Sequence, residues 1–169
     1  YQNHIFDAII AAGTEFGIKP FGMRAMDTMR LEKSYRLVGT ELSIEYAALE
    51  SGLHRFVHLN KGEFKGRQKL SHWQESGFAN SMVTLEVHDT TDADAIGGNP
   101  IMLSDGEIIG RATSGGYGFR LEKSLALAMV RPELAAVGTE LMIDILDQRL
   151  RATVLEESPY DPDNVRLCA

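Results

Sequence analysis

The sequence predicts an α+β protein in which a helical N-terminal part precedes a small antiparallel β-barrel or sandwich. Apolar residues recur with helical spacing before residue 76, whereas later segments alternate apolar and polar residues with a period of two. Short turn signals separate those later segments, and Asp105-Gly106 is the strongest hairpin signal. We place the boundary near residues 76–80, which gives a domain at 1–76 and a second at 77–169.

The N-terminal part begins with a predicted helix at residues 3–12, with Asn3 as its N-cap and Gly13 as its stop. Two strands are predicted after the central helix at 22–35, which is described below. The first is short, at 42–44, and the second is longer, at 53–59, where apolar and polar residues alternate. A further helix is predicted to begin at residue 60 or 61 and to stop at Gly77.

The stretch 22–35 is predicted to form the central helix of the chain. Three apolar residues, Met23, Met26 and Met29, are spaced as on a buried helix face, with Leu31 on a flanking row. Two charges near its end, Arg30 and Glu32, should need partners if their neighbours desolvate them. We expect these charges to anchor the helix, with Glu50 or Arg55 as candidate partners.

Short alternating runs predict the strands of the second domain. Gly115-Gly116-Tyr117-Gly118 is interpreted as a hairpin turn or bulge in preference to a backbone that approaches a ligand. The predicted strands lie around residues 82–87, 108–111, 125–130, 141–146 and 150–154.

Charge and composition restrict the classes of function. The 169 residues carry a net charge of −7, which argues against a broad nucleic-acid surface. A single cysteine excludes a framework of disulfides within the chain and fits a reducing compartment, so we expect a cytoplasmic location. No apolar run approaches the roughly 20 residues that span a bilayer, and no membrane partner is expected. Because the chain starts at Tyr1 in an apolar segment, we expect it to be a piece of a longer protein.

The residues alone do not form a recognisable catalytic set. No histidine, cysteine and carboxylate spacing matches a familiar metal site, and no nucleophile elbow, P-loop or dinucleotide fingerprint is present. Tyr35 suits either a ligand wall or a structural role. Basic residues between 61 and 69 suit an anionic partner, although a solvated helix face is the preferred interpretation. We therefore expect no catalytic residue and no metal ligand in the chain.

Five motifs in order resemble the glycine-cleavage T-protein (aminomethyltransferase) family. Residues 24–35 resemble its A-R-D-x-L-R-L-E helix, and residues 106–117 resemble the T-S-G hairpin of its C-terminal barrel. The sequence Leu-Glu-Lys-Ser-Tyr-Arg is most similar to the folate module of dimethylglycine and sarcosine dehydrogenases, which are FAD enzymes. The other matching stretches are 45–53, 61–70 and 159–162.

The resemblance implies the C-terminal part of a folate-binding α+β domain at 1–76, followed by the T-protein barrel at 77–169. It implies tetrahydrofolate as the cofactor and a small amine as the substrate of the longer protein. FAD would belong to a domain before Tyr1. The piece by itself is expected to be inactive and to bind folate weakly. A free-standing aminomethyltransferase, a folate-dependent demethylase and a non-catalytic folate-binding module are the alternatives.

The resemblance also implies cofactor-binding positions. Tyr35 matches a tyrosine that lines the folate pocket in some members of the family. The folate-contacting arginine of the family falls at Met26, with Arg24 as the nearby substitute. The C-terminal contact position falls at Val165, and Arg166 beside it is the candidate.

Overall fold

The computed structural model describes residues 1–90 and 92–168, in which three α-helices precede six strands. The α+β prediction is confirmed, since helices precede a closed antiparallel sheet. The elements are α1 (Gln2–Gly13), α2 (Met23–Glu32), α3 (Arg67–Ser76), β1 (Ser81–Val87), β2 (Pro100–Met102), β3 (Ile108–Gly118), β4 (Lys123–Val130), β5 (Glu140–Ile145) and β6 (Gln148–Leu155).

The six strands form a barrel in the order β1-β4-β3-β2-β5-β6. The sheet closes because β6 pairs with β1 as well as with β5. This closure decides between the two predicted architectures in favour of the barrel, and it removes the exposed edges that an open sheet would present. The Asp105-Gly106 hairpin is confirmed: it joins β2 to β3, and the Asp105 carboxylate accepts a hydrogen bond from the Glu107 N–H at 3.0 Å.

Alternate residues of the strands fill the barrel interior, as the period of two predicts. Leu85 and Ile143 are fully buried there. The strand β4 is buried on both faces, because Leu125 and Leu127 point outward and pack with Leu31 of α2. Helix α2 therefore covers one side of the barrel and fixes the position of the segments that follow it.

Glycines inside β3 let other segments approach the strand closely. A Cβ on Gly115 would lie 2.3 Å from the carbonyl oxygen of Ala95, and one on Gly116 would lie 3.1 Å from Leu31 Cδ1. The prediction of a turn or bulge at these glycines is wrong, since they lie within the strand. The register shift of β3 occurs earlier, between Ala112 and Ser114.

The predicted buried face of α2 is wrong at its three methionines and correct at the flanking Leu31. Met23, Met26 and Met29 are 76%, 43% and 48% exposed, whereas Leu31 and Glu32 are buried. The helix contacts the barrel through the side of the helix that carries Leu31, because the glycines of β3 leave room there. Periodicity identified a helix but selected the wrong face.

Several boundaries in the N-terminal part differ from the prediction. Helix α1 begins after Tyr1, so Asn3 lies inside it and is not the N-cap. No strand forms at 42–44 or 53–59, which are described in full; an isolated bridge joins Val38 to Leu42, and a short 3-10 turn occupies 54–56. A closed barrel leaves these segments no sheet edge to join.

Helix α3 starts later than predicted but ends as predicted. Gly62 and Gly66 have φ angles of 101° and 94°, which a right-handed helix does not permit, so the helix begins at Arg67. Gly77, with φ at 90°, ends it and donates its N–H to the Trp73 carbonyl. The strand β2 escaped prediction because three residues that start with Pro100 are too short to show a period.

Within the described residues, no helix combines the length and the apolar character that crossing a bilayer requires.

Candidate functional site

The end of α2 is closed by a Schellman motif whose left-handed residue is a serine. Ser34 has φ at 54°; its N–H donates to the Leu31 carbonyl, and the Tyr35 N–H donates to the Arg30 carbonyl at 2.8 Å. Glycine is the usual residue at such a position because it has no Cβ. The serine is fully buried, and its hydroxyl lies 2.6 Å from Thr84 Oγ1 and accepts the Ser158 N–H at 3.0 Å.

The two charges near the end of α2 have partners other than those predicted. Glu32 accepts the backbone N–H groups of Arg120 and Leu121 at 2.7 and 3.0 Å. Arg30 donates to Asp27 at 2.6 Å and to Glu41 at 3.3 Å. Both charges therefore hold α2 to neighbouring segments, and neither contacts Glu50 or Arg55.

Glu41 is a fully buried carboxylate between the loop after α2 and the barrel. One oxygen accepts the hydroxyls of Ser114 and Thr113 at 2.5 and 2.6 Å. The other accepts the Leu37 N–H at 2.9 Å and the Thr40 hydroxyl at 2.7 Å. Burial by itself would raise the pKa of Glu41, but these hydrogen bonds together hold that pKa below its ordinary value.

The cofactor-binding residues predicted from the resemblance lie on α2, just beyond its end, and in the C-terminal segment. Met26 and Arg24 are exposed on α2, and because they are two residues apart they project from different sides of the helix. Tyr35 follows the helix and is 40% exposed, and Arg166 is exposed in the C-terminal segment.

Lys33 links the end of α2, where Tyr35 lies, to the C-terminal segment that carries Arg166. Its ammonium group lies 5.8 Å from the centroid of the Tyr35 ring. The same group donates to the Asp161 carbonyl at 2.5 Å and to Asn164 Oδ1 at 2.8 Å, and the Arg166 N–H donates to the Asp161 carboxylate at 3.3 Å. The structure thus places the C-terminal segment beside the end of α2, next to Tyr35.

A concave region lies where the loop 43–50 meets the barrel. Three adjoining depressions of about 450, 550 and 180 Å³ share Glu45 and Tyr46 in their walls, and we call them together the Tyr46 groove. Arg111 of β3 donates to the Tyr46 hydroxyl at 2.8 Å and forms an ion pair with Glu45. The bond to Tyr46, together with the contact with Glu45, raises the pKa of the Arg111 guanidinium above its ordinary value.

Sequence reasoning did not single out Glu41 or Arg111. Glu41 lies 73 residues from Ser114 along the chain, and no local pattern announces that pairing. A loop glutamate flanked by threonine and leucine is ordinarily exposed, so its burial depends on the fold. The two neighbouring hydroxyl side chains at 113–114, within the T-S-G motif, were the one sequence feature that could have indicated a buried polar partner. Within residues 1–90 and 92–168, no group of three or more His, Cys, Asp and Glu side chains is arranged to hold a metal ion.

Two family models match the chain in order. The GCVT N-terminal domain model matches residues 1–61, and the glycine cleavage T-protein C-terminal barrel domain model matches residues 80–161. Together they include α2, the loop that carries Glu41, and all six strands of the barrel.

The chain is also similar to curated proteins. It is 38% identical over 154 residues to dimethylglycine dehydrogenase, mitochondrial, from Homo sapiens, an alignment that covers 90% of this chain and 18% of the relative. It is 39% identical over 152 residues to an aminomethyltransferase from Moorella thermoacetica, with 88% of this chain and 40% of the relative covered. The chain therefore spans less than half of the length of either relative.

A solved structure shares the fold. The crystal structure of glycine cleavage system aminomethyltransferase T from Bartonella henselae superposes with a TM-score of 0.76 and 22% sequence identity. The superposition covers 83% of this chain and 39% of that chain. At this identity the likeness shows the fold.

Proposed function

Because the chain belongs to the glycine-cleavage T-protein family, we propose that it forms the C-terminal part of a tetrahydrofolate-dependent one-carbon-transfer module. In this proposal residues 1–76 complete a folate-binding domain and residues 77–169 form its companion barrel. The longer protein would be an FAD-dependent enzyme similar to dimethylglycine or sarcosine dehydrogenase. The similarity to dimethylglycine dehydrogenase, which covers 90% of this chain, is the observation that carries this choice.

The end of α2 fits one side of a folate site. The Tyr35 backbone is held by both a donor and an acceptor bond to Arg30, while the residue is 40% exposed, so Tyr35 is anchored and its ring stays accessible. An accessible phenol on an anchored residue suits a wall against which a planar ligand packs. Arg24 and Arg166 offer exposed cations for the carboxylates of folate, and Met26 offers apolar contact without a hydrogen-bond donor.

Bound tetrahydrofolate would accept the one-carbon unit, and a flavin bound elsewhere in the longer protein would supply the oxidation of the amine. The contribution of this chain is to position: Tyr35 would orient the ligand, and the Glu32 and Glu41 hydrogen bonds would keep α2 fixed on the barrel. Fixed geometry is a large part of what such a site supplies, because it keeps a reactive one-carbon unit next to its acceptor. No catalytic residue is assigned to this chain, and a cytoplasmic location stays a prediction based on its single cysteine.

The experiment uses the full-length protein. Tetrahydrofolate is titrated by fluorescence, and formation of 5,10-methylenetetrahydrofolate from dimethylglycine is measured. Tyr35→Ala should weaken tetrahydrofolate affinity about tenfold, a loss of the size expected for one aromatic contact. Tyr117→Ala is the matched control, since Tyr117 is 38% exposed and lies on the barrel. Met26→Arg restores the arginine of the family and should tighten binding. Absence of saturable binding in the full-length protein would overturn the proposal.

A free-standing aminomethyltransferase or folate-dependent demethylase is the alternative, favoured by the 39% identity to the Moorella thermoacetica relative. The coding sequence upstream of Tyr1 distinguishes the two. A G-x-G-x-x-G flavin domain several hundred residues upstream supports the dehydrogenase-like protein. Formation of methylenetetrahydrofolate from an aminomethylated donor, with no bound flavin, supports the alternative. Saturable folate binding without either activity would identify a non-catalytic folate-binding module.

A further inference from the structure

The Tyr46 groove has the composition of a ligand site that is separate from the face of α2. Its walls come mainly from the loop 43–50, from α3 and the segment after it, and from β2 and β3 of the barrel. Grooves at the junction of two parts of a chain are common places for small ligands, and the two larger depressions each have a volume typical of such sites.

Aromatic residues form one end of the groove. Trp73 and Phe78 line the first depression together with Tyr46, and all three are partly buried, so each keeps some ring surface available. Ring faces and edges of this kind bind planar apolar groups through stacking and edge contacts.

A cation lies at the other end. Arg111 lines the second and third depressions, and its side chain is 51% exposed. Its Nε and Nη2 bond to Tyr46 and Glu45, while Nη1 has no partner among residues 1–90 and 92–168. Since the Glu45 side chain is itself 59% exposed, this ion pair is screened by solvent and weakly held. A carboxylate on a ligand can therefore replace Glu45 and accept two parallel hydrogen bonds from the planar guanidinium in a bidentate pair.

From this juxtaposition we infer that the Tyr46 groove binds a planar aromatic carboxylate, with the ring against Trp73 and Tyr46 and the carboxylate on Arg111. The inference does not depend on the proposed folate function, because none of the predicted folate residues lines the groove. In the free protein Glu45 occupies the position of the ligand carboxylate, so Glu45 lowers the affinity and makes it selective for anions that compete with it.

The chain carries its own reporter, because Trp73 is its single tryptophan and gives one indole N–H resonance. The ¹⁵N-labelled chain is titrated with naphthalene-2-carboxylate, and naphthalene-2-carboxamide is the matched neutral probe. We expect a saturable shift of the Trp73 indole resonance with the carboxylate and at least a severalfold weaker response to the carboxamide.

Three variants test the roles. Arg111→Gln should weaken carboxylate binding about tenfold, as expected for loss of a charge-assisted pair. Glu45→Gln should strengthen it, because the competing carboxylate is removed. Arg151→Gln is the control: Arg151 is an exposed arginine paired with Asp89 and lies outside the groove, so affinity should not change. The three substituted side chains are each at least half exposed, so folding should be unaffected.

Equal shifts with the carboxamide, unchanged binding in Arg111→Gln, or no saturable shift would each overturn the inference. A failure of tetrahydrofolate to bind the full-length protein would overturn the folate proposal and leave the naphthalene-2-carboxylate result as it stands.

Discussion

The Glu41 carboxylate accepts the Ser114 hydroxyl at 2.5 Å in the buried space between the loop after α2 and strand β3. Four further hydrogen bonds, from Thr113, Leu37, Thr40 and Arg30, complete its coordination. A buried charge is tolerated only when its lone pairs are satisfied. Glu41 therefore ties the loop after α2 to strand β3 of the barrel.

Glu41→Gln should destabilise the protein by about 2–4 kcal/mol, because an amide cannot accept all the hydrogen bonds that the carboxylate accepts and leaves buried donors unpaired. Urea unfolding monitored by circular dichroism measures the change. Glu107→Gln is the control, since Glu107 is half exposed and paired with Arg131, and it should cost less than about 1 kcal/mol. Equal effects of the two substitutions would show that Glu41 does not link the parts.

The same carboxylate should make stability depend on pH. Its folded pKa lies below the ordinary value of 4.5, so the unfolded state takes up a proton at higher pH than the folded state does. Its contribution is fully present well above pH 4.5 and is lost as pH falls through the folded pKa. The gap in unfolding free energy between wild type and Glu41→Gln should be constant from about pH 7 to 5.5 and should narrow below about pH 4.5. A gap that persists unchanged into acid would contradict this assignment.

Ser34→Ala and Ser34→Gly separate two effects at the end of α2. Alanine keeps the unfavourable left-handed backbone and removes the hydroxyl that the Ser158 N–H needs, so we expect a loss of about 1–3 kcal/mol. Glycine also removes the hydroxyl but relieves the backbone, which should recover about 1 kcal/mol. Thermal unfolding of both variants measures the difference, and an alanine variant as stable as the glycine variant would argue against backbone strain at this position.

Gly52→Ala should be more disruptive than an ordinary glycine substitution. Gly52 has φ at 71°, and a Cβ there would lie 2.2 Å from Arg36 Nη2. Arg36 would then have to move away from the Ser51 carbonyl, to which it donates at 2.7 Å. We expect a cost of about 2–3 kcal/mol in urea unfolding, against about 1 kcal/mol for Gly62→Ala, where φ is also positive but no atom lies within 4 Å.

Backbone amides should exchange hydrogen faster in the N-terminal part of the chain than in the barrel. Amides of β4 should exchange slowest, because that strand is buried on both faces. Amides of α1 should exchange fast, since the helix has no buried residue to hold it. Mass spectrometry of peptides after deuterium labelling tests this, and equal protection of residues 1–70 and 77–169 would contradict it.

Local sequence patterns predicted most strands of the barrel. They failed where contacts between distant segments determine the structure. Alternation identified five of the six strands because the interior selects every second residue, whereas β2 was too short to show a period. The predicted strand at 53–59 alternated as well, but the closed sheet has no edge to accept it. Likewise, the methionines of α2 have helical spacing, yet the glycines of β3 determine which side of the helix meets the barrel.

Ordered motifs in the sequence by themselves determined the family, the α+β class and the presence of the central helix, although the predicted stretch 22–35 runs past Glu32, where the helix ends. The tertiary structure alone decided which charges are buried, which face of α2 is covered, and that Arg111, Glu45 and Tyr46 meet in one groove. The reason is physical: helix and strand periods and turn residues act over a few neighbours in sequence. The partners of a buried carboxylate or the walls of a groove come from segments dozens of residues apart, and folding alone brings them together.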